Sequence, residues 1–218
     1  MFTELIDTLR CPVAHEDSWL VATSSRRVER HIIDGRLGCP VCRSTFPIVD
    51  GVVCFREPRA TTVAVPTDAD TAFRLAAQLH LVESGVPILL VGEWSRAAPA
   101  LLRLDATLVM FIGDTRLTLV TEDRVSVLWL PDGVLPLATG SLRGVALDTA
   151  HATPAYLAES ARVVRAGGRL VAPLRCALDA DAWTELAADD VVRVAERRAV
   201  ASAPIQLRRA PTVPLFDA

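Results

Sequence analysis

The sequence predicts an α/β fold: a mostly parallel sheet with a terminal antiparallel hairpin, preceded by a small cysteine-bearing β domain. Three observations predict it. Short apolar runs recur as "VPILLVG" at 86–92, "TLVMFIG" at 107–113 and "VSVLWL" at 125–130, and strands that are apolar throughout belong to parallel sheets buried on both faces. Helical stretches alternate with them, which implies strand–helix–strand units with helices on both faces. Before residue 57 the alternation is absent. Cysteine appears there as "CPVAH" at 11–15 and "CPVC" at 39–42.

The elements follow in order. "FTELIDTL" reads as a short amphipathic helix with Phe2, Leu5, Ile6 and Leu9 on one side. "SWLVATSS", "RVERHIIDG" and "RLGCPVCRSTFPIVDGVVCF" read as strands, with turns at Asp34–Gly35 and Asp50–Gly51, because glycine tolerates positive φ. Residues 57–67 hold two prolines and no helical period and read as a linker. The units are therefore 1–56, the linker 57–67, and 68–218. Thr67 or Asp68 caps a helix carrying Ala72, Leu75, Ala76, Leu79 and Val82 on one face, with Gly85 as its C′ residue. Strand 86–92, a helix over 95–104 with Pro99 in its first turn, and strands at 106–113, 124–131 and 142–148 come next. A helix from Pro154 to Gly167 leads to a strand at 169–174. A helix over 179–188 precedes two strands, 190–199 and 203–210, that form the closing hairpin.

Bulk properties bound the function. The chain has 218 residues, 51% of them apolar and 22% charged, a globular composition with ample core. Mean hydropathy is +0.33, yet no run approaches the roughly 18 apolar residues of a membrane span, so no membrane is expected. The 23 basic and 26 acidic residues nearly balance, which leaves no electrostatic footprint for nucleic acid. "MFTELIDTLR" lacks the apolar core of a signal peptide. Five cysteines, three of them clustered, fit a metal in a reducing cytoplasm better than a disulfide framework.

A structural zinc ion takes four N or S ligands in a tetrahedron, two from each of two tight turns. "CPVC" fits one such turn. In "CPVAH" Ala14 stands where the second cysteine belongs, and His15 lies one residue further on, within the longer reach of an imidazole. The expected set is Cys11, His15, Cys39 and Cys42. Cys54 and His31 are reserve ligands. Equally, the same residues could pack as a metal-free core. A thioredoxin-like role is disfavoured, because strand rather than helix follows the motif.

The first unit resembles the small zinc-ribbon activator subunit of tRNA and protein methyltransferases and its short bacterial relatives. "LRCPV", "GRLGCPVC", "FPIVDG" and the apolar "VVCF" match that family's pattern in order. The second unit resembles a class I S-adenosylmethionine-dependent methyltransferase, which is Rossmann-like. The match runs through "LPLATGSLRGVALDTAHATPAYLAESARVVRAGGRLVAPL". This resemblance implies a cofactor site built from a glycine-rich turn after the first strand, an acid after the second and a polar residue after the third. Of the glycine motif only Gly92 survives, with Glu93 and Trp94 beside it, and the Trp94 ring would fill ligand space. Asp114 and Asp132 are the acid and polar candidates, though both also suit turns. No catalytic residue stands out. His151 is either substrate-side or incidental, and Tyr156, Trp183 and Cys176 read as packing residues. The arginines at 26–27, 197–198 and 208–209 form no run.

The resemblance implies zinc and S-adenosylmethionine as cofactors. It implies a protein partner, either a methyltransferase or a second copy of this chain, which admits a homo-oligomer. Two functions follow: a non-catalytic or weakly catalytic binding, scaffolding or activator module, or an active methyltransferase on a small molecule, protein or tRNA. A metal-dependent nucleic-acid ribbon is a third, disfavoured by the absence of a basic surface.

Overall fold

The computed structural model describes residues 1–57, 67–81, 85–105, 107–114 and 122–199. Eleven strands form one sheet in the order β1-β2-β3-β4-β7-β6-β5-β8-β9-β11-β10. The first four, β1 (Val21–Val28), β2 (His31–Gly38), β3 (Thr45–Val49) and β4 (Val52–Cys54), make an antiparallel meander. Five parallel strands follow in space: β7 (Val125–Trp129), β6 (Met110–Gly113), β5 (Ile88–Val91), β8 (Leu142–Ala146) and β9 (Val164–Pro173). The far edge is an antiparallel pair, β11 (Val192–Arg197) on β9 and β10 (Trp183–Ala188) outermost. Counted from β5, the parallel strands lie in the doubly wound order 3-2-1-4-5, which reverses direction between β5 and β8.

The N-terminal meander continues the parallel sheet. β4 pairs parallel to β7, with Val52, Val53 and Cys54 opposite Val127, Leu128 and Trp129, and the Phe55 amide donates to the Trp129 carbonyl at 3.0 Å. The two faces of the sheet are sorted by the two-residue period of a strand. Ile88, Leu90, Met110, Ile112 and Val127 pack under α1 (Ala69–Gln78) and α2 (Ala98–Leu104). Leu89, Val91, Phe111 and Leu128 face α3 (Pro154–Val163) and the N-terminal segment, where Met1, Phe2, Leu5 and Leu9 are at most 4% exposed. That segment is stitched down by Phe2 N–H to the Ser126 hydroxyl, Arg10 N–H to Pro136 O and Ala138 N–H to Thr8 O, at 2.8–3.1 Å.

Several local expectations are corrected. The first helix is a 3₁₀ turn, Thr3–Thr8, and the one after β5 begins as a 3₁₀ turn, Gly92–Ala97, before α2. Asp68 does cap α1, accepting from Thr71 N at 2.7 Å. The helix ends earlier than expected, however, and His80, not Gly85, is its C′ residue. With φ at 52°, His80 completes a Schellman motif in which Leu81 N–H reaches Ala76 O and His80 N–H reaches Ala77 O. Asp50–Gly51 forms the expected turn, both residues left-handed. Asp34–Gly35 does not. Gly35 lies inside β2, and a Cβ there would meet the Thr23 carbonyl at 2.2 Å, so close strand approach requires the glycine. The chain turns instead at Glu29–Arg30.

Residues 179–188 were expected as a helix, but 183–188 form β10. Trp183 is buried at 3% exposure, and Asp189 accepts from Val191 and Val192 N–H to make a tight turn into β11. The closing hairpin is therefore 183–197. The expected strand at 203–210 lies outside the described residues, as do 58–66 of the linker and Val82. Gly167 does not end α3. The helix stops at Val163, and Arg165–Gly168 bulge out of β9 between its pairings of Val164 with Leu142 and of Arg169 with Gly144.

Because one sheet and one apolar cluster run through both halves, the chain should unfold in a single transition. Phe55→Ala removes a ring that lies tilted against Phe46, centroids 5.0 Å apart, beside the β4–β7 seam. It is expected to cost about 3–5 kcal/mol. Circular dichroism and tryptophan fluorescence should report coincident midpoints, shifted together.

Candidate functional site

Two clusters of titratable side chains bear on the expected sites. The first is the expected metal set. Cys11, His15, Cys39 and Cys42 place their ligand atoms within 4.8 Å of one another. Cys11 Sγ lies 3.6 Å from Cys42 Sγ, and Cys39 Sγ lies 3.4 Å from His15 Nε2. A zinc–sulfur bond of 2.3 Å implies tetrahedral edges of about 3.8 Å, so the donors already sit near zinc geometry. His15 Nδ1 lies 2.5 Å from the Glu16 carbonyl. A proton there leaves the Nε2 lone pair for the metal. Arg43, with φ at 63°, turns the second loop so that its N–H reaches Cys39 O at 3.0 Å. Burial pushes the Cys11 thiol up to about 12, while its bond with Ser44 draws Cys42 down to about 7. The set can hold zinc. Cys54 sits in β4 and His31 bonds the Glu122 carbonyl at 2.9 Å, so neither reserve ligand belongs to it.

His15→Ala should leave less than one zinc per chain after dialysis against a weak chelator and should lower the thermal midpoint. Metal analysis and calorimetry check both. Acid should release the metal, because bound thiolates must be deprotonated.

The second cluster closes the carboxyl ends of β5, β6 and β8. Gly92 follows β5 with φ at +62°, and a Cβ on it would stand 2.0 Å from Asp148 Oδ2 and 2.9 Å from His151 Nδ1. Asp148 follows β8. Its Oδ2 accepts from Glu93 N–H at 2.9 Å, and its Oδ1 accepts from the His151 and Ala150 amides and lies 2.7 Å from His151 Nδ1. His151 Nε2 lies 3.2 Å from Asp114 Oδ2. Asp114, left-handed after β6 and 4% exposed at its side chain, gives Oδ1 to Leu130 N–H and to the Arg56 guanidinium, both at 2.9 Å. Arg56 arrives from two residues past β4, donates to Leu130 O at 2.6 Å and lies over the Trp129 ring.

Two cations and two carboxylates thus alternate in a closed row. Asp114 and then Asp148 hold the His151 imidazole charged, raising its pKa to about 9 against the opposing effect of burial. Burial alone would raise the Asp148 carboxyl, but the bonds from His151 and Glu93 outweigh it and hold it below the usual range.

Of the expected cofactor positions, Gly92, Glu93 and Asp114 meet here. Asp132 is exposed and lies across a 450 Å³ cavity that it lines with Arg56, Asp114, His151 and Tyr156. Trp94 reaches from the turn after β5 to the end of β8, its indole donating to Leu147 O at 3.1 Å, while Asp148 with His151 takes the space directly against Gly92. Tyr156 and Trp183 pack as expected. His151 is central rather than incidental. Arg56 and Asp148 were missed. An acid closing "LRGVALD" as Asp114 closes "MFIGD" was a readable signal for Asp148, while nothing local marks Arg56.

A His151 whose native pKa lies above its unfolded value stabilises the fold fully below pH 6.5, and the contribution is lost as pH rises through about 9. The shift sets a ceiling of about 3 kcal/mol. The stability difference between the parent and His151→Gln, measured by urea unfolding, should therefore be largest near pH 6 and shrink by up to that amount near pH 9.5.

The family-model match falls on the N-terminal unit. The model of the family described as "Trm112p-like protein" matches residues 3–51. No curated protein matches the chain in sequence. Among solved structures, the chain is similar to geranyl diphosphate C-methyltransferase from Streptomyces coelicolor A3(2), at 13% identity over 48% of this chain and 42% of that one, with a TM-score of 0.40. It is also similar to a chain of the complex between the Haloferax volcanii Trm112 methyltransferase activator and the putative methyltransferase, at 17% identity over 48% of this chain and 54% of that one, with a TM-score of 0.33. The chain spans less than half the length of the first of these. No described helix is long and apolar enough to cross a membrane. The chain carries a Trm112p-like domain at its N-terminus, joined edge to edge with a doubly wound α/β sheet.

Proposed function

We propose that this chain is a fused activator and methyltransferase-like module without catalytic turnover, kept for its surfaces. In this reading residues 1–56 are the ribbon, 57–67 the linker and 68–218 the methyltransferase-like unit. The ribbon docks on the unit through β4 and zinc stiffens it. Support for the second unit comes from the stretch from Leu135 to Leu174. It falls on β8, α3 and β9 in the order the class I methyltransferase resemblance implies, with an antiparallel pair after it.

One observation carries the non-catalytic reading. In doubly wound sheets ligands bind in the crevice where the strand order reverses. Here that crevice lies between β5 and β8, and Asp148 bridges it to Glu93 N–H while filling the space against Gly92. Asp114, the position suited to ribose hydroxyls, has both oxygens engaged by Arg56, Leu130 and His151. S-adenosylmethionine would have to displace a charge-balanced, half-buried row, and a buried ion pair robbed of one partner is costly.

The active-enzyme reading would assign Gly92, Glu93, Asp114 and Asp132 to the cofactor. Titration calorimetry of zinc-loaded protein with S-adenosylmethionine and S-adenosylhomocysteine separates the two. The proposal expects no heat of binding from either ligand. Micromolar binding that Asp114→Ala abolishes would overturn the closed-crevice reading and leave the active-enzyme reading standing.

A further inference from the structure

The three cysteines of the metal set are unequal. Cys39 is 3% exposed, and its Sγ faces His15 Nε2 at 3.4 Å. Cys11 and Cys42 are only half-buried, and their sulfurs lie 3.6 Å apart, brought together from two separate loops. A disulfide bond is about 2 Å long, so closing one here asks for a movement of about 1.5 Å. His15 narrows the outcome. Four thiols in a ribbon could oxidise to two disulfides. With three, one sulfur is left over, and the buried Cys39 beside His15 is that one. Cys54 in β4 and Cys176 after β9 stand outside the set.

Cys11 and Cys42 are also the residues that tie the ribbon together. Cys11 follows Arg10, whose N–H is held by Pro136 O, and Cys42 lies in the loop between β2 and β3. They are 31 positions apart, so a bond between them closes a ring around β1 and β2. Ring closure stabilises a fold by restricting its unfolded chain. Ligation of both loops by one metal ion couples to folding in a similar way.

We propose that Cys11 and Cys42 form an oxidation site for hydroperoxides, and that their disulfide replaces zinc as the staple of the ribbon. One thiolate attacks the O–O bond, becomes a sulfenic acid and expels hydroxide. The other thiolate attacks that sulfur, forms the disulfide and expels a second hydroxide. Two protons from solvent complete two waters, so the peroxide gains the two electrons that the sulfurs lose. Cys39 and His15 remain, too few to retain a tetrahedral ion. The inference rests on the metal assignment and is independent of the crevice between β5 and β8.

The test treats the full zinc-loaded chain with hydrogen peroxide, follows released zinc with a chromophoric chelator, and maps disulfides by mass spectrometry. One zinc should leave for each disulfide formed, and the bond should join the peptides of Cys11 and Cys42. Iodoacetamide after denaturation should label the other three of the five cysteines. Dithiothreitol with added zinc should restore the starting state. The oxidised, zinc-free chain should melt at least about 5 °C above the reduced, zinc-free chain. A disulfide that involves Cys39, Cys54, Cys176 or a second chain overturns the inference. So does release of zinc with sulfinic acid in place of a disulfide, or an oxidised chain that melts no higher than the reduced one. Zinc uptake is measured before peroxide is added, so a failed metal assignment is seen separately from a failed disulfide.

Discussion

The parallel pairing of β4 with β7 is the contact on which the rest depends. Strands that run parallel bring their carboxyl ends to the same edge of the sheet, so the residue two past β4 arrives where the parallel strands present their loops. That residue is Arg56, and it meets Asp114 at 2.9 Å. Antiparallel pairing at the same edge would have carried it to the opposite end. The seam also supplies hydrophobic closure. With β4 in place, Phe2, Leu5 and Leu9 lie over Leu89, Phe111 and Leu128 and bury one face of the parallel sheet. The N-terminal unit is thus at once an added set of strands, a lid on a core, and the source of one charge in the site.

The cost of that arrangement is visible in the electrostatics. Carboxylates at the ends of β6 and β8 would repel each other across a narrow gap. His151 between them, charged and doubly hydrogen-bonded, turns repulsion into attraction. Arg56 adds the second positive charge, so the row is neutral and nearly every polar atom in it is satisfied. A site prepared for a ligand keeps donors and acceptors unspent. Here they are spent on one another.

Much of this was legible in the sequence, for physical reasons. Parallel strands buried on both faces must be apolar throughout, so β5, β6 and β7 announced themselves. Zinc demands paired ligands from tight turns, so Cys11, His15, Cys39 and Cys42 could be named before any geometry. Less legible was whatever depends on distant partners. "DADAWTELAA" has helical composition, but Trp183 is needed under the sheet edge and the Asp189 turn supplies an antiparallel mate, so tertiary pairing overrides propensity. His80 replaces Gly85 as the helix terminator, and a non-glycine residue at positive φ leaves no mark in the sequence. Arg56 carries no local signal at all. Its role follows from which strand lies next to β7, and sequence periodicity is silent on strand order.

The protonation state of His151 tests the closed row most directly. The chain has four histidines, so ¹⁵N-detected imidazole NMR can follow each through a pH titration. The account predicts that His151 carries a proton on both nitrogens at pH 7.5, titrates near 9, and keeps that midpoint when S-adenosylmethionine is added. A midpoint near 6.5, or one that moves with the cofactor, would mean that the row opens and that the crevice between β5 and β8 is a working binding site.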